Sequence, residues 1–383
     1  MKRELVIAVA LLGGPVVCQA QSMDDLANLQ FHGYATQSFA ASNDNNYLSM
    51  DTSHGSFQWT EAALNISDQL NDRLRIGMQF HYLNLGQFGA DNVSIDWALG
   101  DFKINRYAGL RAGKVKIRWG LYNDTQDADP GYMWSLLPES IYGIDLRATN
   151  LSQMGAELYG KVPLGKNAGS LLYSGYYGDY YVSPNDGYME SYRETGITFT
   201  DRPWGKTPGF DLRWKSPLKG LMVAGSLMLY DEKGTMPSGT LREPLTYWPT
   251  YYAQYEAQKF FLSAQYMKLV QYTVIQPSGG PSSSSVVDER AWFAMGGYHV
   301  TEKFQVGSYY SHYLVASAGD ASNPANYSKD WVASGRYDIT SNFYGKLEGH
   351  FIDGEAAGFY GIDNPNGLKP QTRLVVAKVG FVF

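Results

Sequence analysis

The feature that most constrains the fold is an alternation of apolar and polar side chains within segments of about ten residues. In segment 73–82, Leu74 and Ile76 begin an apolar face, whereas Arg73 and Arg75 begin a polar face. The same period recurs in 92–99, 210–215, 331–339 and 343–351. Successive side chains of a strand point to opposite sides. Each segment therefore predicts a strand with hydrocarbon on one side and water on the other.

Sixteen segments are predicted to be strands, and they lie at 29–40, 57–70, 72–83, 92–100, 107–118, 151–162, 170–178, 208–216, 220–231, 246–257, 260–272, 288–300, 303–315, 329–339, 343–352 and 372–383. Two of them, 170–178 and 246–257, are weakly patterned, so a count of eighteen stays open. The predicted connections alternate between short and long, and the long ones include 41–56, 119–150, 179–207, 273–287 and 353–371.

A chain threaded repeatedly through a membrane has this asymmetry, with short turns on the periplasmic side and long loops outside. We therefore predict an all-β fold, a transmembrane antiparallel β-barrel. Because a barrel must close as one hydrogen-bonded unit, residues 21–383 are predicted to form a single domain.

Residues 1–20 have the features of a signal peptide. Two basic residues precede an apolar stretch of about 13 residues, which is too short to cross a bilayer as a helix. Small residues permit cleavage after Ala20. Lipidation at Cys18 is an alternative, although the preceding Val17 is larger than the residue that usually precedes such a cysteine. Cleavage after Ala20 removes the only cysteine, which excludes disulfides and a thiol nucleophile from the mature chain.

The formal net charge of −6 argues against a nucleic-acid partner, because such a partner requires a basic surface. No later segment reaches 18 consecutive apolar residues, so membrane-spanning helices are not predicted. Modest average hydrophobicity with 30 tyrosines and 41 glycines suits a transmembrane barrel. A soluble, secreted all-β protein is an alternative that composition alone leaves open.

The last ten residues form an alternating strand that ends in an aromatic residue, Phe383. This ending resembles the assembly signal of Gram-negative outer-membrane proteins, and the segment 31–35 is similar to the first strand of many porins. With the export signal and sixteen strands, the whole mature chain resembles the porin superfamily. The resemblance implies a passive diffusion channel for small hydrophilic solutes and ions in the outer membrane. It also implies contact with lipid and lipopolysaccharide, insertion by the barrel assembly machinery, and a homotrimer.

In porins the third external loop commonly folds into the lumen, where a few charges in a narrow pore set selectivity. The corresponding segment here is 120–150. It contains many aromatic residues, which would hold it against the inner wall, and five acidic residues: Asp124, Asp127, Asp129, Glu139 and Asp145. The alternative is a loop that packs on its neighbours and caps the pore from above.

The strand before this loop alternates basic and apolar side chains. We predict that Lys114, Lys116 and Arg118 form a basic ladder on the lumen wall. Arg73 and Arg75 of segment 73–82 are predicted to be two further lumen cations. Val115 and Ile117 would then face lipid, because the opposite phase places three cations in hydrocarbon at a cost of about 2–4 kcal/mol each. The lumen cations either oppose the loop acids or pair with neighbours on the wall.

Segment 113–120 resembles the basic segment before the constriction loop of phosphate-selective porins, which are anion-selective trimers. It departs from that family at Arg118-Trp119, where the family tends to have Pro-Phe, and this puts phosphate specificity in doubt. A basic wall and an acidic loop act on passing ions in opposite directions, so we predict only a weak preference for anions.

Two other classes of protein stay as alternatives, an enzyme embedded in an outer-membrane barrel and a plugged structural or adhesion barrel. None of the six histidines lies in a run with serine and acid that resembles a known hydrolase, although distant residues could meet in the fold. We therefore expect no catalytic group, no cofactor and no bound metal. Conductance in a planar bilayer separates a channel from a plugged barrel.

Overall fold

The computed structural model describes residues 29–89 and 91–383, and the predicted signal peptide at 1–20 lies outside the described residues. Sixteen antiparallel strands form one sheet: β1 Gln30–Ser42, β2 Ser56–Asn71, β3 Leu74–Leu85, β4 Val93–Lys103, β5 Ala108–Lys116, β6 Ser152–Gly165, β7 Gly169–Tyr181, β8 Trp204–Lys206 with Gly209–Lys215, β9 Leu221–Met236, β10 Gly239–Glu256, β11 Phe260–Pro277, β12 Ser283–His299, β13 Phe304–Val315, β14 Tyr327–Asp338, β15 Phe343–Gly354 and β16 Gln371–Val382.

Strand β8 is one strand position in two segments, because both segments pair with β7 on one side and β9 on the other. Pro208, which has no backbone N–H, lies at the interruption. Strand β1 pairs with β16 from Tyr34, opposite Val382, to Ser42, opposite Leu374, so the sheet closes on itself. The predicted closed antiparallel barrel of sixteen strands is confirmed.

The barrel has its polar residues inside and its apolar residues outside. On β15, Lys346 and Glu348 are 3% and 1% exposed, whereas Leu347 and Phe351 are 60% and 58% exposed. This polarity is the reverse of a soluble core, and it suits a wall whose outer surface is covered by hydrocarbon. Within the described ranges, no helix has the length and apolar character to cross a membrane.

Short turns join the strands at one end of the barrel, which we call the short-turn end. At the opposite, long-loop end, the connections include 117–151, 182–203 and 355–370. The prediction of a long connection at 273–287 is wrong. Strand β11 continues to Pro277 and strand β12 begins at Ser283, so the connection between them is short. Strands β9 to β12 have 16 to 18 residues, more than the 9–11 that cross a bilayer, so these hairpins extend beyond it.

Two short α-helices lie in the described long connections, α1 at Arg147–Asn150 and α2 at Gly187–Glu194. Asp186 caps helix α2, because its side chain accepts a hydrogen bond of 3.3 Å from the backbone N–H of Met189. The connections are also packed by apolar residues inside the barrel. One cluster joins connection 117–151 to the wall, and a second joins the loops at the long-loop end.

Candidate functional site

Connection 117–151 leaves β5 after Lys116 and joins β6 at Ser152, and its aromatic side chains pack on inward-facing residues of the wall. Trp119 lies against Trp248 of β10, with ring centroids 4.3 Å apart. Trp134 meets Tyr309 of β13 edge to face at 5.1 Å. Aromatic rings of this size bury large areas, and offset or edge contacts add to the stabilisation. The connection therefore lies against the wall formed by β9 to β13.

A buried carboxylate ties the same connection to the strands that close the barrel. Asp129 contacts the ammonium groups of Lys346 on β15 and Lys378 on β16 at 2.9 and 2.7 Å. It also accepts a hydrogen bond of 2.6 Å from the hydroxyl of Tyr344. Burial disfavours the charged form, but the two ammonium groups outweigh it and hold the pKa of Asp129 below its usual range. The carboxylate is thus ionised and fully compensated at neutral pH.

Two further acids of the connection pair with basic residues of the wall. Asp127 lies 2.6 Å from Lys116 and accepts a hydrogen bond of 2.8 Å from Gln79 on β3. Asp124 lies 3.2 Å from Arg118 and 3.3 Å from Arg213 on β8.

A buried chain of ionisable side chains, which was not predicted from the sequence, lies beside these pairs. Arg147 of α1 contacts Asp96 on β4 and lies 3.0 Å from a ring nitrogen of His81 on β3. The other ring nitrogen of His81 lies 2.9 Å from Glu61 on β2. His81 and Asp96 lie in the alternating segments 73–82 and 92–99, but Arg147, their shared partner, is 51 or more residues away in the sequence. Alternation alone therefore gave no signal for the network.

Glu139 and Asp145 lie apart from the other three acids. Glu139 accepts a hydrogen bond of 3.3 Å from the N–H of Ile144, and Asp145 accepts one from the hydroxyl of Tyr360 in connection 355–370. Burial raises the pKa of both carboxyl groups, and the proximity of Asp145 raises that of Glu139 further. Asp145 joins connection 117–151 to connection 355–370, and neither acid lines the charged cavity described next.

A cavity of about 210 Å³ lies between connection 117–151 and the wall from β3 to β6. Its charged lining has four basic and three acidic residues: Arg75, Arg111, Lys116, Arg118, Asp101, Asp124 and Glu157. Arg111 bridges Asp101 at 2.9 Å and Glu157 at 3.0 Å. Arg75 donates a hydrogen bond of 3.1 Å to the hydroxyl of Ser67, and it has no salt bridge to any described residue. The lining therefore has one more basic than acidic side chain, and Lys116 is also paired with Asp127, which lies outside the lining.

Three of these lining residues, Asp101, Arg111 and Glu157, were not among the predicted site residues. Arg111 has the same parity as Val115 and Ile117, so the predicted phase would turn it toward lipid, and this misfit was the available signal. Its inward orientation is explained by the register, which places it opposite Asp101 on one side and Glu157 on the other.

The predicted phase of β5 is wrong. Val115 and Ile117 are only 1% and 2% exposed, and Ile117 belongs to the apolar cluster inside the barrel. The register with β4 and β6 runs unbroken from Arg111 to Lys114, so Val115 shares the inward face of Arg111, and the strand ends at Lys116. Lys116 and Arg118 line the cavity, whereas Lys114 donates to the carbonyl oxygen of Ile95 on β4.

Two other predicted residues lie near the short-turn end. Arg73 is exposed in the turn between β2 and β3, so it does not belong to the strand face on which it was predicted. Phe383 follows β16, and its backbone forms two hydrogen bonds with Gly33 of β1, at 3.1 and 3.0 Å. The terminal residue therefore extends the seam that closes the barrel, while its proposed role in assembly stays a prediction.

Comparison with known proteins identifies the class of fold. No family model matches this chain, and no curated protein sequence is significantly similar to it. OmpF of Salmonella typhi, solved with daunomycin, matches with a TM-score of 0.61 at 12% identity over 93% of this chain and 97% of that chain. OmpT of Vibrio cholerae matches at 0.59 and 13% identity, over 93% and 97%.

An anion-selective porin from Comamonas acidovorans matches with a TM-score of 0.56 at 11% identity, over 93% of this chain and 99% of that chain. Similarity at this level of identity shows the fold. The chain is a transmembrane-type antiparallel β-barrel, and its fold is that of outer-membrane porins, as the sequence predicted.

Proposed function

We propose that the protein is an outer-membrane channel for passive diffusion of small hydrophilic solutes and ions. The observation that carries this proposal is the charged cavity between connection 117–151 and the β3–β6 wall. Charged side chains are costly to keep in a dry interior, whereas a hydrated path lets them remain ionised. Polar residues inside and apolar residues outside are the arrangement of a barrel that holds water in its lumen.

Connection 117–151 is proposed to fold into the lumen and form the constriction. Its support is the set of contacts on opposite parts of the wall, with Arg213 on one side and Lys378 on the other. A segment held at both sides occupies much of the cross-section, and the proposed passage runs through the charged cavity beside Arg75. Charges within such a narrow, low-dielectric passage act strongly on passing ions.

The proposed selectivity is a weak preference for anions, because four basic side chains face three acidic ones in the cavity lining. Reversal potentials in a salt gradient test this preference. Arg75→Glu should move the reversal potential toward cation selectivity, because it replaces a cation that lacks an acidic partner among the described residues. Arg73→Glu, the same change in the exposed turn, should move it much less. Equal shifts in both variants would contradict a filter at Arg75.

The remaining biological setting is also proposed. Signal peptide 1–20 would direct export, Phe383 would be read by the barrel assembly machinery, and the apolar outer surface would contact lipid and lipopolysaccharide. A homotrimer is proposed because one solved form of Vibrio cholerae OmpT is described as a trimer. Light scattering of the detergent-purified protein, corrected for bound detergent, measures the number of chains. A single chain at all protein concentrations would contradict the trimer.

A plugged structural or adhesion barrel is the second candidate. It is favoured by dense packing at the long-loop end, where Tyr47, Leu136, Phe359 and Tyr360 belong to one buried cluster. Liposome swelling in isotonic solutions of small sugars separates the two functions. A channel admits the sugar and the liposomes swell, whereas a plugged barrel leaves them unchanged. An enzyme is not proposed, and a screen with lipid and peptide substrates would reveal activity if a hydrolase were present.

A further inference from the structure

A second cavity lies toward the long-loop end, separate from the charged cavity that includes Arg75. It is bounded by strands β7 and β9 to β11, by the end of connection 117–151, and by helix α2 of connection 182–203. Its volume is about 40 Å³, enough for two or three water molecules or one small head group. Two carboxylates converge on it, Glu232 of β9 and Glu243 of β10.

Tyrosine hydroxyl groups hold the two carboxylates in place. Glu232 accepts hydrogen bonds of 2.9 Å from both Tyr180 and Tyr192, and Tyr192 also lies 3.2 Å from an oxygen of Glu243. Helix α2 supplies Tyr192, so the glutamates are linked to a connection as well as to the wall. Among the described residues, neither glutamate forms a salt bridge with a basic side chain. The cavity therefore brings two carboxyl groups together without a basic partner inside it.

Unsatisfied polar atoms provide an independent reason to expect a ligand. Glu243 is 1% exposed, and its Oε2 atom has no hydrogen-bond partner among the described residues. Thr207 is also 1% exposed, lines the same cavity, and has an Oγ1 atom without a partner in the described part of the chain. Leaving such buried groups unsatisfied is unfavourable. A donor placed in the cavity would satisfy both atoms.

The chemistry of the walls distinguishes between ligand classes. The rings of Tyr180 and Tyr230 lie edge to face with centroids 5.6 Å apart, and Tyr192 adds a third ring to the lining. Aromatic faces attract organic cations, and carboxylates accept hydrogen bonds from ammonium groups. A calcium site needs six or more oxygen ligands, usually with several carboxylates. The described residues hold no group of three or more histidine, cysteine or acidic residues arranged for a metal ion.

We propose that this cavity binds the primary ammonium group of a small organic cation. The three N–H donors of an alkylammonium would reach Glu243 and Glu232 and the hydroxyl of Thr207, and its alkyl chain would lie along the tyrosine rings. The cavity beside Arg75 and this acidic cavity would then be two chemically distinct sites in the same barrel. The site does not depend on whether the barrel conducts ions.

Isothermal titration calorimetry of the complete, detergent-solubilised protein tests the proposal. The probes are n-butylammonium chloride, uncharged n-butanol and calcium chloride, at constant ionic strength. We expect saturable binding of butylammonium and no measurable binding of butanol. Glu243→Gln should weaken butylammonium binding by at least about tenfold, because a charge-assisted hydrogen bond and an ion pair are lost. Glu302→Gln, the same change in an exposed short turn, should leave affinity unchanged.

The outcomes separate the proposal from its rivals. No saturable binding to the wild type would overturn it, and would indicate that the two carboxyl groups share a proton. Calcium binding that is tighter than butylammonium binding and lost in Glu243→Gln would assign the site to a metal ion. Heat-dependent gel migration confirms that each variant is folded, and Tyr192→Phe offers a milder change that removes only one hydroxyl. Channel conductance is measured separately, so failure here leaves the proposed function untouched.

Discussion

The contacts of Asp129 lead to a prediction about how connection 117–151 is held. Replacing Asp129 with asparagine removes the carboxylate but keeps a side chain of nearly the same size. The ammonium groups of Lys346 and Lys378, whose side chains are 0% and 1% exposed, are then left without their counter-ion. We expect Asp129→Asn to weaken attachment of the connection to β15 and β16.

The size of the effect follows from burial. Removing one partner of a buried ion pair costs about 3–5 kcal/mol, because the remaining charge is uncompensated. The backbone carbonyl of Asp129 still accepts a hydrogen bond of 2.9 Å from Lys346, and an amide oxygen can still accept one bond. We therefore expect the lower end, about 3 kcal/mol, which lowers the ratio of attached to detached connection by about a hundredfold.

Single-channel recording in planar bilayers and limited trypsin digestion measure this change. A detached connection should give larger or more variable current levels, and it should expose Arg118 and Arg147 to cleavage. Asp288→Asn is the matched control, because Asp288 pairs with Arg290 at 3.0 Å on a partly exposed surface. Such pairs contribute about 0–1 kcal/mol, so this variant should behave as the wild type.

A charge-matched variant provides the complementary test. Adding Lys346→Met to Asp129→Asn removes one uncompensated ammonium group and should restore part of the lost attachment. If Asp129→Asn has the wild-type current levels and the wild-type rate of trypsin cleavage, the reasoning about the buried carboxylate is wrong.

Three further predictions follow from individual contacts. Lys116→Glu places a negative charge in the charged cavity, beside Asp127, and should shift the reversal potential toward cation selectivity. Lys114→Glu should shift it less, because Lys114 does not line that cavity. Equal shifts in the two variants would contradict this placement. Burial raises the pKa of Asp186 from 3.8 to about 7, so the folded state binds its proton more tightly than the unfolded state does. The stability that this protonated carboxyl group contributes is therefore lost as the pH rises from about 4 to about 7. Asp186→Asn keeps a side chain that can cap α2, and its apparent melting temperature relative to the wild type should be higher at pH 8 than at pH 5; a constant difference would contradict the shift. Trp248→Ala removes the 4.3 Å contact with Trp119 and should lower the free energy of unfolding by about 3–5 kcal/mol. The shift of the urea unfolding midpoint in lipid vesicles measures this loss, and an unchanged midpoint would count against the contact.

The architecture was predictable because alternation is a local property. Each strand face is defined by neighbouring residues, as in Leu347 outside and Lys346 inside, so sequence spacing alone predicts the barrel. The prediction of a loop at 273–287 is wrong because β11 and β12 continue beyond the bilayer as a hairpin. Strict alternation is enforced by contact with hydrocarbon, so the part of a strand that lies outside the bilayer lacks this sequence signal.

The interior was less predictable because its partners are distant in sequence. Lys346, one of the lumen cations, contacts the loop acid Asp129, which is 217 residues away, and so follows the first of the two alternatives for such cations. Arg213 does pair with its neighbour Asp211, at 2.7 Å, in addition to Asp124. The five loop acids could be named from the sequence. Which of them contact the barrel wall and which lie at the long-loop end depends on how connection 117–151 folds, and the sequence pattern does not show this.

The failure at β5 has a local cause. Strict alternation assigned Val115 and Ile117 to lipid, and the energetic argument about cations in hydrocarbon supported that phase. The register of β5 with β4 and β6 is continuous across Gly113, so Arg111 and Val115, four residues apart, share the inward face. The strand ends at Lys116, and beyond it Ile117 and Arg118 both lie inside the barrel, an outcome that a two-faced strand does not allow.

Single-channel conductance of the purified wild-type protein in a planar bilayer tests the central claim most directly. The account predicts steady, discrete current steps and a reversal potential displaced slightly toward anions, because ions pass the cavity lined by Arg75 and Lys116. A correctly folded, membrane-inserted barrel that gives no steady current steps would contradict it.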